Sequence, residues 1–179
     1  QKLSSTAALS LGNAAISLAG GSFGETVLST SLTPGAATIS RSSGAATLNL
    51  NTITRATGAT LNLGAASIAT TDTLNTSGIL GGWATVAGAD WAVNSTNAAD
   101  GAITALASYT ADTWAAGNNT NVTGAASVAG ATTNSLRFAT AAALTLSGNN
   151  TVSSGGILVA SGGGGGSLTG GSLRTTSGG

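Results

Sequence analysis

Four of the five acidic residues, Asp72, Asp90, Asp100 and Asp112, fall in one stretch, residues 72–118, with all three tryptophans (Trp83, Trp91, Trp114) and the only tyrosine, Tyr109. Paired carboxylates are the machinery of glycoside cleavage, where one protonates the leaving oxygen and the other activates water or attacks directly. No two of these aspartates are neighbours and the chain has no histidine, so a pair forms only if the stretch folds back on itself. Aspartates so spaced serve more simply as turn formers and caps, as at Asp90 before Trp91. We therefore assign no catalytic residue and read the chain as a non-enzyme. The rings offer a second chemistry, because a flat apolar face stacks on sugar C–H groups. Burial suits them better, since a tryptophan covers a large apolar area and is mostly buried in folded chains. Trp83, Asp90, Trp91, Tyr109 and Trp114 form one candidate cluster, for a ligand or for packing.

Other site chemistries find little to work with. Zinc centres rest on Cys and His, and the chain has neither. Calcium solenoids repeat Gly-Gly-x-Gly-x-Asp, of which Gly88-Ala89-Asp90 is a fragment. The glycine run Gly162 to Gly166 lacks the Lys-Ser/Thr of a phosphate cradle and reads as a flexible turn or linker. No metal or cofactor is expected. Five Lys/Arg balance five Asp/Glu, and Lys2, Arg41, Arg55, Arg137 and Arg174 are scattered, so no basic stripe exists for nucleic acid. No apolar run approaches the ~18 residues of a spanning helix. Asn-x-Ser/Thr triplets begin at Asn75, Asn94, Asn118, Asn121 and Asn149; such triplets arise readily in an Asn/Thr-rich chain and matter only in a eukaryotic secretory setting.

The elements that must position these residues are short. Leu9-Ser10-Leu11, Ile16-Ser17-Leu18, Thr38-Ile39-Ser40, Leu48-Asn49-Leu50, Leu61-Asn62-Leu63, Leu144-Thr145-Leu146 and Ile157-Leu158-Val159 read as strand cores, mostly with one apolar and one polar face. Each is too short to stand alone, but copies become stable when stacked ~4.8 Å apart as coils of a solenoid. Turn formers such as Gly12-Asn13, Gly20-Gly21, Pro34-Gly35 and Gly148-Asn149 separate the cores. The phrase Gly44 to Leu50 is echoed by Gly58 to Leu63, which favours a repeat architecture. Six aromatics in 179 residues leave the interior to Ala, Val, Ile and Leu, as a thin stacked core requires. A β-sandwich is the rival, but it calls for longer strands and more aromatic filling. Asn and Thr on the outer face would form hydrogen-bonded ladders along the axis.

The fold expected is thus an all-β solenoid over residues 1–179, interrupted at about 72–118 by one irregular Trp-containing insertion. Inside the insertion, Asn97 followed by Ile103 and Leu106 predicts a short helix, which Gly101 weakens. Both ends, including Gly178-Gly179, read as repeat material without a polar cap, which invites further pairing.

Three groups of phrases carry a family resemblance. They are Leu50 to Asn62; the double-Trp phrase Gly78 to Ala92 with the Tyr109-Thr110 segment after it; and Asn134-Ser135-Leu136-Arg137-Phe138 with Ser154-Gly155-Gly156-Ile157-Leu158. On these the chain resembles the autotransporter-associated β-strand repeat proteins, long bacterial surface or secreted proteins. The resemblance implies a right-handed parallel β-helix passenger, exported and displayed, with no catalytic residues to carry over. The resulting expectation is an extracellular or cell-surface structural or adhesive module of a larger repetitive protein or fibre. Its partners would be neighbouring repeats or further copies stacked end to end. Surface glycans, bound or cleaved at the Trp-rich insertion, are the alternative.

Overall fold

The computed structural model describes residues 3–176; Lys2 and Gly178-Gly179 lie outside the described residues. The fold is an all-β solenoid of parallel stacked strands. Its chain divides into two compact units: one takes in the described residues up to Ala87 with Trp91–Ala105, the other Gly88–Asp90 with those from Leu106 onward.

The first unit winds through three strand columns. One holds β1 (Leu9–Leu11), β4 (Thr30–Leu32) and β7 (Ile53–Arg55). The second holds β2 (Ala14–Leu18), β5 (Gly35–Arg41), β8 (Ala59–Leu63) and β10 (Ala84–Val86). The third holds β3 (Gly24–Thr26), β6 (Thr47–Asn49) and β9 (Ala69–Thr71). All these pairs are parallel. Ala14 pairs with Ala37, Ala37 with Leu61 and Leu61 with Ala84, steps of 23, 24 and 23 residues. Each step is one coil.

Alternation explains why these residues make strands. In β8, Ala59, Leu61 and Leu63 are buried while Thr60 is exposed, so one face of a two-residue period fills the interior. In-register stacking then lays Ile39, Leu63 and Val86 on one another,, a column of branched aliphatics that packs without large rings. Corners need special backbone. Asn51 turns one at φ +48, a conformation Asn tolerates better than other side-chain-bearing residues, and its Nδ2 donates to the Val27 carbonyl one coil away at 2.5 Å.

The echoed phrases do not stack on each other. Leu48 lies in β6 beside Glu25 and Ala69, whereas Leu61 lies in β8 beside Ala37 and Ala84. The echo is shared composition on two columns, and the stacking repeat is the 21-to-24-residue coil. The expected side-chain ladders occur as single rungs, such as Thr85 Oγ1 donating to Asn62 Oδ1 at 3.0 Å. More hydroxyls bond instead to a backbone carbonyl of the adjacent coil, including Thr30 to Leu50, Ser40 to Ile16 and Thr71 to Asn51.

Within residues 72–118 the regular coil gives way. β10 adds one further parallel strand, then β11 (Asp90–Asn94) and β12 (Gly101–Ala105) form an antiparallel hairpin. β12 also runs antiparallel to β9, so the hairpin joins two columns into one sheet, ordered β2-β5-β8-β10-β11-β12-β9-β6-β3. The helix expected after Asn97 is absent: Asn97 sits in a turn with a φ of +51, and Gly101–Ala105 form β12. The reason is local and tertiary together. Gly101 and Ile103 are buried with Ala102 and Thr104 less so, a period of two, and a Cβ on Gly101 would run into the Asn94 side chain.

The second unit is built from β13 (Thr110–Ala111), β14 (Asn119–Val122), β15 (Ala126–Ala129), β16 (Thr132–Thr133), β17 (Ser135–Phe138), β18 (Ala143–Val152), β19 (Ile157–Val159) and β20 (Ser167–Arg174). One sheet runs β13-β14-β17-β19; the other sets β15 and β16 end to end along one edge of β18, with β20 on its other edge. Every pairing is parallel. Val122, Leu136, Phe138, Leu144, Leu146 and Val152 form its core. The glycine run, expected as a flexible turn or linker, is a turn that is packed at Gly163. Ser161–Gly163 is a short 3-10 turn, Gly163 is buried, and a Cβ there would collide with the Phe138 carbonyl oxygen.

Leu61→Ala should lower unfolding stability by about 2–5 kcal/mol, because it opens a cavity inside a stacked column. Thr60→Ala on the outer face should change it by no more than about 0.5 kcal/mol. Urea unfolding followed by circular dichroism distinguishes the two.

Candidate functional site

The five candidate residues divide between the units. Trp91, in β11, is buried and Trp83 packs against the core of the first unit. Asp90, Tyr109 and Trp114 belong to the second unit, where Trp114 packs against that unit's core. Three of the four rings thus contribute apolar area to an interior.

Asp90 and Tyr109 are brought together by a residue that spacing alone did not single out, Arg137. It sits mid-strand in β17 between buried Leu136 and Phe138, so alternation turns it outward. Its Nη2 pairs with Asp90 Oδ1 at 3.0 Å, with side-chain exposures of 17% for Arg137 and 29% for Asp90. Nε donates to the Ala89 carbonyl at 2.7 Å and Nη1 to Asn121 Oδ1 at 3.4 Å. The guanidinium lies 4.8 Å from the Tyr109 ring centroid, within cation–π range. All three guanidinium nitrogens are engaged, and the carboxylate faces a fixed cation. Such an arrangement clamps segment 88–90 and Tyr109 onto β17. The legible signal was an isolated arginine between two apolar residues of one strand.

The other aspartates act in turns. Asp100 and Asp112 have φ of +56 and +48. The Asp100 N–H donates to Asp72 Oδ1 at 2.8 Å, and Asn49 Nδ2 donates to Asp100 Oδ1 at 2.6 Å. The structure therefore joins Asp72 and Asp100 across 28 residues, through a backbone amide. Asp112 accepts the Thr123 N–H at 2.8 Å and the Thr123 hydroxyl. Slight burial pushes its carboxyl upward, but the Thr123 hydroxyl and the Thr123 and Gly124 amides outweigh this and hold it below the ordinary value. Among the described residues, no group of three or more His, Cys, Asp or Glu side chains is placed to hold a metal ion.

Buried amides are the polar feature that sequence reading missed. Asn94 is buried, and its Nδ2 donates to the carbonyls of Thr71, Thr73 and Ala98 at 3.1, 3.1 and 2.7 Å. Asn75 bonds reciprocally to its backbone. In the second unit, Asn119 Oδ1 accepts from Asn134 and Ser135, and Thr120 and Thr133 share a 2.7 Å bond. Asn94 read as a modification triplet in the sequence, but its side chain is consumed by the fold. Nothing local marks which Asn turns inward.

Compared with family models, curated proteins and solved structures, the chain matches none.

Arg137→Lys keeps the charge but loses the three-way fork, and should cost about 1–3 kcal/mol in urea unfolding. Asp112→Asn tests the lowered carboxyl. Because the folded value is depressed, its stabilisation is present above the unfolded value of about 3.9 and is lost as pH falls through the folded value. The Tm gap between wild type and Asp112→Asn should be open at pH 7 and close in acid.

Proposed function

We propose that this chain is an extracellular or cell-surface structural module, part of a larger repetitive bacterial surface protein or fibre of the autotransporter-associated β-strand repeat kind. The observation carrying this reading is the coil itself: parallel strands in register at steps of 21 to 24 residues in the first unit. Stability in such a stack comes from neighbouring coils, so length is gained by adding coils without redesigning a core. The composition fits a load-bearing surface part. Only 6% of residues are charged, and hydroxyl and amide side chains are spent on bonds between coils. The resemblance in the double-Trp and Asn134 to Phe138 phrases supports the same reading.

The glycan alternative draws no support from the ring positions. Trp91 is buried, and Trp83 and Trp114 pack on cores, so their area contributes to folding. Arg137 engages Asp90 and Tyr109 in the same way.

Location is the direct test. An antibody raised against the purified chain should label intact cells of the organism that makes it, and brief external protease should remove the label. Signal only after the cells are broken open would overturn the surface assignment.

A further inference from the structure

We propose that the β11–β12 hairpin is an internal end cap of the first unit: it stops the parallel stack and closes its core, so that this unit unfolds as a cooperative body of its own. The device is separate from the surface role proposed above.

A parallel stack that stops leaves a row of unpaired N–H and C=O groups on each strand of its last coil, and the side chains beneath lose their cover. Repeat folds therefore carry caps with a polar outer face. In the first unit the hairpin takes up the open edges. The sheet order runs β8-β10-β11-β12-β9-β6, so β11 and β12 occupy the outer edges of β10 and β9 at once. Both hairpin strands are interior to that order and leave no edge of their own. Direction matters as well, because β12 runs antiparallel to β9, with Gly101 opposite Thr71 and Ala102 opposite Thr70. An antiparallel ladder does not pass on the evenly spaced, slanted bonds that a further parallel coil needs. The remaining column ends at β7, where the Ile53 N–H donates to the Thr73 hydroxyl at 2.7 Å.

The inward side chains of the hairpin and its approach complete the core of the first unit. Leu80, Ala92 and Ile103 belong to the same buried cluster as Leu63, Ala69 and Val86, with Ala92 and Ile103 fully buried. The core of the second unit is a separate cluster built around Val122, Leu136 and Leu144. The tip of the hairpin has the outer face of a cap: residues 95–100, Ser-Thr-Asn-Ala-Ala-Asp, are all exposed and mostly polar.

Asn94 pegs the cap in place. Its Nδ2 reaches the Thr71 and Thr73 carbonyls, at and just after the end of β9, and the Ala98 carbonyl within the hairpin. Asn75 Nδ2 donates to the Asn94 carbonyl and the Asn94 N–H donates to Asn75 Oδ1, both at 2.8 Å. The Ser67 N–H, ahead of β9, donates to the Ile103 carbonyl at 2.8 Å, and the Leu80 N–H, ahead of β10, donates to the Ala92 carbonyl at 2.9 Å. The hairpin is thus tied to the segments that enter and leave the last strands of the stack. Loosening these ties uncovers the end of the stack, and in a quasi-one-dimensional fold the coils behind it share that loss.

Hydrogen exchange on the full chain, read segment by segment by mass spectrometry in rising sub-denaturing urea, tests the cap. In the wild type, β5, β6, β8 and β9 should share one opening reaction, distinct from that of β14, β17 and β18. Asn94→Ala should speed exchange across β5 to β9 by about tenfold or more, and leave β14, β17 and β18 unchanged. Ile103→Val, a milder change for use where Asn94→Ala does not fold, should act on the same strands by about twofold to tenfold. Leu144→Ala, in the second core, should speed exchange in β14, β17 and β18 alone. Acceleration confined to residues 71–76 and 91–105 in the hairpin variants would make the hairpin an ornament and overturn the proposal. So would hairpin variants that reach the second unit, or Leu144→Ala reaching the first. Antibody labelling of cells reads the surface role separately, so either conclusion can fail while the other stands.

Discussion

Parallel backbone pairing between successive coils governs this molecule. Once Leu61 is hydrogen-bonded beside Ala37 and Ala84, its side chain must share their face, and the interior becomes a set of columns. Columns of Ala, Leu, Ile and Val pack at the ~4.8 Å strand separation and fill a thin interior without large rings. That accounts for six aromatics in the whole chain. It also accounts for how the hydroxyls are used, because a Thr or Ser at a coil edge finds the neighbouring carbonyl within reach, as Thr30 finds Leu50 and Thr71 finds Asn51.

The same constraint makes interruptions expensive, and the structure places its unusual chemistry where the stack changes. The β11–β12 hairpin reverses strand direction and covers β9. It is held by Asn94, whose amide reaches three carbonyls, and by the missing side chain of Gly101. In the second unit, Arg137 collects Ala89, Asp90, Asn121 and Tyr109. Of the residues that suggest one ligand site in sequence, Asp90 and Tyr109 are fastened to Arg137 in the fold, while Trp83 and Trp91 belong to the first unit.

Much of the fold was legible beforehand. The seven short alternating phrases all fall on strands, with Leu50 one residue beyond β6. Alternation is a local property, set by the two-residue period of an extended backbone, and any chain that buries one face must show it. The helix expected after Asn97 failed because intrinsic propensity there is weak, and pairing with both β9 and β11 outweighed it. The glycine run was legible as a turn, but not as a packed one. Its glycines are read as freedom in a sequence, yet Gly163 is required by the nearness of the Phe138 carbonyl.

The amino-acid sequence by itself determined that the chain is all-β, with short strands, small apolar interior residues and no basic stripe. Tertiary structure decided which strands stack, and the echoed phrases around Leu48 and Leu61 are the instructive case, since they occupy different columns. Register depends on corner lengths and on the volume left inside each coil, quantities set jointly by residues more than 20 positions apart. Tertiary structure likewise decided that Asn94 turns inward, and that Arg137 joins Asp90 to Tyr109. Those outcomes depend on what lies one coil above and below, and a linear pattern does not contain that information.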